Sequence, residues 1–121
     1  MLNCGLTYSD YRKDRTMKFG QVIAEARRNL RLNQKELAAR IIKEDGKPIS
    51  PQYLNDLEHD RRDPPPEYLL RKFAAELDLS LEYLLFLAGE FPEDLKRERA
   101  AHEPKDVEAA FRAFRQALKG K

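Results

Sequence analysis

Two runs of sequence separated by a turn decide the fold: Leu32-Asn33-Gln34-Lys35-Glu36-Leu37-Ala38 and Ser50-Pro51-Gln52-Tyr53-Leu54-Asn55-Asp56-Leu57-Glu58-His59-Asp60-Arg61-Arg62. In the first, Asn33 can cap a helix, and Glu36 stands at the capping-box position three residues on. Leu37, Ala38 and Ile41 form that helix's inner face. In the second, Ser50 supplies a capping oxygen, and Pro51 takes the first helical position, where its missing N–H costs nothing. Leu54 and Leu57 are the buried positions, and the helix must end before Pro64. Gly46 and Pro48 break the chain between the runs. The prediction is a short helix, a turn, and a second short helix with a sharp start.

Working outward, Phe19, Val22, Ile23, Ala26 and Leu30 fall on one face of an earlier helix, with Arg27, Arg28 and Arg31 beside it. Downstream, Pro64-Pro65-Pro66 forces extended chain. A fourth helix then carries Leu69, Leu70, Phe73, Ala74 and Leu77. Ser80 caps a fifth, with Leu81, Leu84, Leu85 and Ala88 inside, and Gly89 stops it. No strand pattern interrupts, so residues 17–89 read as a compact all-α domain of five helices. Residues 90–121 read as a charged helical tail: Pro92 opens a turn, Pro104 interrupts, and Val107, Ala110, Phe111, Phe114 and Leu118 form a last stripe. Residues 1–16 show no steady period and read as a flexible N-terminal arm. Met17 directly precedes the first amphipathic run and is an alternative start.

The counts exclude several classes. The one cysteine, Cys4, cannot form an intramolecular disulfide, and His59 and His102 stand in no zinc-ligand spacing. No metal and no cofactor is expected. The longest apolar run, Tyr83 to Ala88, falls far short of the ~20 residues that span a bilayer, so no membrane partner is expected. Without a secretory start, a reducing cytoplasm is the expected compartment. No Gly-rich phosphate loop and no set of base, nucleophile and metal ligands is visible, so an enzyme is not expected. The net charge of +2 conceals an uneven distribution. Residues 17–49 carry +4, residues 50–64 carry −2, and residues 65–90 carry −3. A basic first half can face nucleic acid although the total is almost neutral.

Residues 18–89 resemble the lambda-repressor-like helix-turn-helix domain, the Cro or XRE type. The resemblance rests on LNQKELAAR, on SPQYLNDLEHDRR with the DPP that follows, and on LSLEYLL, all in order. It implies that the helix starting at Ser50 enters the major groove with Pro51, Gln52, Asn55 and Asp56 toward the bases. Gln52 can bond adenine N6 and N7 together, a contact worth ~1–3 kcal/mol of discrimination, and Asn55 can do the same. Asp56 can accept from cytosine N4 but repels phosphate. The plainer reading of all three is a solvated polar helix face. Gln34 matches the family's phosphate-clamping glutamine, and Lys35, Lys47, Tyr53, Arg61 and Arg62 are further phosphate contacts. Arg27 and Glu58 fall where the family pairs an arginine of the first helix with a glutamate of the third, an architectural ion pair.

Two departures stand out. The turn, Ile42 to Ile49 (IKEDGKPI), is longer than the family's, so its tip either adds a phosphate contact through Lys43 or Lys47 or is a tolerated insertion. Asp60 occupies the place of the usual glycine after the third helix, where a left-handed backbone is harder to adopt. The function implied is a sequence-specific regulator of transcription binding double-stranded DNA, a repressor acting as a homodimer, since one small domain buries little surface on DNA. The alternative is an antitoxin-type or adaptor protein whose tail binds a protein partner. The stripe on the tail fits a dimer contact or a return onto Leu84 and Phe86, and both remain open.

Overall fold

The computed structural model describes residues 17–120, and three of its helices begin at the capping oxygens that the sequence marks, Asn33, Ser50 and Ser80. The arm expected over residues 1–16 lies outside the described residues. The described chain forms two compact units that meet in sequence between Glu90 and Phe91. The first contains α1 (Phe19–Asn29), α2 (Gln34–Arg40), α3 (Pro51–Glu58), α4 (Glu67–Leu77) and α5 (Leu81–Ala88). The second contains α6 (Glu93–Glu98), a 3-10 turn (Arg99–Ala101) and α7 (Pro104–Lys119).

At the mouth of α2, Asn33 Oδ1 accepts from the Glu36 N–H at 2.7 Å, and Glu36 Oε1 accepts from the Asn33 N–H at 2.8 Å. Ser50 Oγ accepts from the Tyr53 N–H at 3.0 Å, with Pro51 at the first position of α3. Ser80 Oγ does the same for the Tyr83 N–H at 2.9 Å at the mouth of α5. Each cap satisfies an N–H that no helical carbonyl can reach and is worth about 1 kcal/mol.

The helix ends share a second device. Arg31, Asp60, Asp78 and Gly89 adopt left-handed backbone (φ 61, 56, 58 and 73°). After α1, the Leu32 N–H reaches back to the Arg27 carbonyl at 3.2 Å and the Arg31 N–H to the Arg28 carbonyl at 2.8 Å. After α3, the Arg61 N–H reaches the Asp56 carbonyl at 2.8 Å and the Asp60 N–H the Leu57 carbonyl at 3.1 Å. These are Schellman closures, which tie off the last carbonyls and reverse the chain sharply. Leu30, expected on the inner face of α1, belongs to this closure instead and is 38% exposed.

The core of the first unit gathers Ile23, Leu37, Ile41, Leu54, Leu57, Leu70, Phe73 and Leu84, all fully buried. Burying each such side chain is worth ~1.5–3 kcal/mol, so Leu54 and Leu57 hold the short α3 in place far more firmly than its helix propensity. Gly20 lets α1 cross close over the end of α3. A Cβ there would overlap the Leu57 carbonyl oxygen and lie 2.7 Å from that of Glu58. The Gly20 N–H also donates to Asp60 Oδ1 at 3.1 Å, pinning the left-handed residue that follows α3.

The long turn between α2 and α3 is a miniature β-hairpin. Ile42 and Pro48 form an antiparallel bridge. The Lys43 N–H donates to the Lys47 carbonyl at 2.8 Å and the Gly46 N–H to the Lys43 carbonyl at 3.0 Å. Gly46 sits at φ +86°, the left-handed position that a three-residue hairpin loop of this kind requires. At the stem, the Ile49 N–H donates to the Ile41 carbonyl at 2.9 Å, and both isoleucines are buried. The extra residues are thus an ordered projection whose two ends are fixed in the core.

In the second unit, Pro104 opens α7 at a position where it needs no N–H partner. Phe91 meets Phe111 edge to face with centroids 6.0 Å apart. Val107, Phe111, Phe114 and Leu118 remain exposed along α7. Among the described residues, no helix is long and apolar enough to cross a membrane.

Candidate nucleic-acid interface

The site is built on α3 and what flanks it. Arg27 of α1 donates from Nε to Glu58 Oε2 at 2.6 Å and from Nη2 to Glu58 Oε1 at 3.0 Å. Its remaining arm, Nη1, donates to the Leu32 carbonyl at 2.8 Å. Both side chains are buried, with 10% and 3% exposure, so the pair is tight, two-pronged and shielded from salt. It fixes α3 against α1 from inside.

Gln34, expected at a phosphate, turns its side chain inward. Nε2 donates to Glu58 Oε1 at 2.9 Å and to Asn55 Oδ1 at 3.0 Å, which uses both amide hydrogens. The side-chain amide of Gln34 is thereby spent inside the fold. Lys35 beside it is exposed.

On the outer face of α3, Asp56 Oδ1 accepts from Gln52 Nε2 at 3.0 Å and from Arg61 Nε and Nη2 at 3.1 and 3.0 Å. The two carboxylates within α3 are therefore each held by an arginine, Glu58 by Arg27 and Asp56 by Arg61. Pro51 and Gln52 are exposed, while Asn55 and Asp56 are half-buried.

A shallow groove of about 390 Å³ runs beside α3, lined by Lys43, Ser50, Gln52, Tyr53, Asp56 and Arg62 over Ile49 and Leu69. The Arg62 guanidinium sits 5.0 Å from the centroid of the Tyr53 ring, a cation–π contact that holds the cation at the groove's wall. Partial burial pushes the Tyr53 hydroxyl above its usual range, Arg62 pulls it back, and Tyr68 adds to the rise. The phenol stays protonated at neutral pH and can donate to a phosphate oxygen. Lys47 lies exposed on the hairpin, where its N–H is held by Asp45 Oδ1 at 2.9 Å. Lys43 reaches Asp45 at 3.9 Å.

The structure thus brings Gln52, Asp56 and Arg61 into one hydrogen-bonded set, and Arg27, Glu58, Gln34 and Asn55 into another. Lys47 stands apart, on the hairpin. Three features escape sequence reasoning. The bond from Gln34 to Asn55 spans two helices, and the Gly20–Asp60 bond spans forty residues. Lys43 enters the groove wall only because the turn is a hairpin. A lone glycine inside an amphipathic helix pattern was the available signal for the close approach at Gly20.

The sequence model of the helix-turn-helix family matches residues 23–84, half of the chain. The chain belongs to that family, of the Cro and XRE type, a family of DNA-binding transcription regulators. No curated protein matches the chain. Among solved structures, a chain of the SinR protein/SinI protein complex is similar at 24% identity with a TM-score of 0.48, over 85% of this chain and 99% of its own.

Proposed function

We propose that the protein is a repressor that reads a specific double-stranded operator as a homodimer, with α3 of each copy in the major groove. One observation carries the reading: α3 presents the exposed amide of Gln52 beside the half-buried amide of Asn55, while each of its two carboxylates is held by an arginine. Amides on a helix that fits the groove are side chains suited to read base edges. Pro51 packs at the mouth of the helix, Gln52 and Asn55 meet bases, and Asp56 keeps Oδ2 for a cytosine amino group. The Gln34 N–H, Lys35, Lys47, Tyr53, Arg61 and Arg62 hold phosphates and set the register.

Titration with duplex DNA across a salt series tests this reading. Log affinity should fall linearly with log salt, and Gln52→Ala combined with Arg61→Ala should weaken binding. Affinity indifferent to salt overturns it. A second reading rests on the apolar stripe of α7, Val107, Phe111, Phe114 and Leu118, which is exposed. It makes the protein an antitoxin-type adaptor that seats a protein partner there. A small toxic protein copurifying from the native host would favour this, and a homodimer that loses its second copy on Phe111→Glu would favour the first.

A further inference from the structure

The amide of Asn55 has a direction, and a buried charge sets it. Both oxygens of the Glu58 carboxylate accept from the Arg27 guanidinium, and a carboxylate so paired can only accept hydrogen bonds. The amide of Gln34 must therefore turn Nε2, not its oxygen, toward Glu58 Oε1 at 2.9 Å. The second hydrogen on that nitrogen needs an acceptor, and at 3.0 Å it meets Asn55, which must answer with Oδ1. That leaves Asn55 Nδ2 on the other side. Every buried side-chain nitrogen and oxygen among the described residues has a partner, so Nδ2, which has none, lies at the surface. Each link follows from donor and acceptor chemistry once the ion pair is in place.

Gln52 is built differently. Its Nε2 gives one hydrogen to Asp56 at 3.0 Å and keeps another, while Oε1 is uncommitted. Gln52 thus retains the donor and acceptor pair that adenine N7 and N6 require. Asn55 shows the groove a donor only. Adenine would leave its N6 amino group facing an NH2, whereas guanine offers two acceptors, N7 and O6.

We propose that the buried Arg27–Glu58 pair, acting through Gln34, fixes the Asn55 amide as a donor, so that Asn55 selects guanine over adenine at its base pair. Gln34 is then a positioning residue for specificity. The proposal rests on the DNA-binding reading above and names what one of its side chains recognises.

Selection of bound duplexes from a randomised pool, using the full chain, tests it. Asn55→Ala identifies the base pair, because the preference there collapses while the rest of the motif persists. The wild type should enrich guanine over adenine at that pair by about tenfold. Gln34→Leu frees the Asn55 amide to rotate, and adenine should rise to match guanine at that pair alone. Asn55→Asp, nearly isosteric, keeps the bond from Gln34 and turns an acceptor outward, so the choice should move to cytosine. This variant decides the matter if Gln34→Leu loses its helical circular dichroism. Adenine enriched by the wild type, an unchanged choice in Gln34→Leu that is folded, guanine retained by Asn55→Asp, or an Asn55→Ala motif identical to the wild type each overturns the proposal. A wild type that enriches no sequence at all overturns the DNA-binding reading and this proposal together, an outcome distinct from the others.

Discussion

Glu58 does two jobs with one carboxylate, anchoring α3 to Arg27 and directing Gln34. Glu58→Ala leaves Arg27 buried without its partner, so urea denaturation should show a loss of ~3–5 kcal/mol. Replacing both residues with apolar ones of similar size should recover much of this, because no lone charge is then left inside. Gly20→Ala should cost ~1–3 kcal/mol in the same assay, since the added methyl overlaps the carbonyls at the end of α3. Arg31→Gly should do the opposite and raise stability by about 1 kcal/mol, relieving a left-handed arginine. At Asp60 the same change should be closer to neutral, because the bond to the Gly20 N–H is lost along with the strain. The caps at Asn33, Ser50 and Ser80 were legible because side-chain oxygens announce them. The left-handed closures at Arg31 and Asp78 were not, because nothing in an arginine or an aspartate marks a reversal that tertiary packing enforces.

At the scale of elements, the hairpin is where the sequence spoke least clearly. Its excess length was visible, and so was Gly46. The pairing was not, because Pro48 cannot donate to a ladder and leaves only a one-residue bridge. What holds the hairpin is the burial of Ile41 and Ile49 at its stem, a property of the core and not of the loop. Gly46→Ala should therefore strain the tip without melting the helices, lowering stability by ~1–2 kcal/mol with circular dichroism preserved. If the tip touches a phosphate, Lys47→Glu should weaken binding to all duplexes about equally and flatten the salt dependence by about one phosphate's worth. A tip that serves only as a tolerated insertion would leave both unchanged. The inner faces of α2, α4 and α5 followed the sequence pattern closely, since period and burial agree there. Leu30 broke from the pattern because a helix closure took precedence over the stripe.

For the whole molecule, the decisive quantities are charge distribution and copy number. The first unit carries an excess of +4 over residues 17–49 and of −3 over residues 65–90. Its approach to DNA should accelerate as salt falls, a rate effect that stopped-flow mixing at two ionic strengths would show. If the stripe on α7 joins two copies, removing residues 104–121 should halve the mass seen by light scattering and lower duplex affinity together. An unchanged mass would assign the stripe another role. The hairpin has a last consequence at this scale. Its tip is exposed at Asp45 and Gly46, its stem is rooted in the core, and the segments on either side are locked by Arg27–Glu58 and Gly20–Asp60. A chain cut between Glu44 and Asp45 keeps every one of those links as a contact between two pieces. Two separately expressed fragments should then find each other and restore the fold, so that a regulator of this kind can be made to assemble on command.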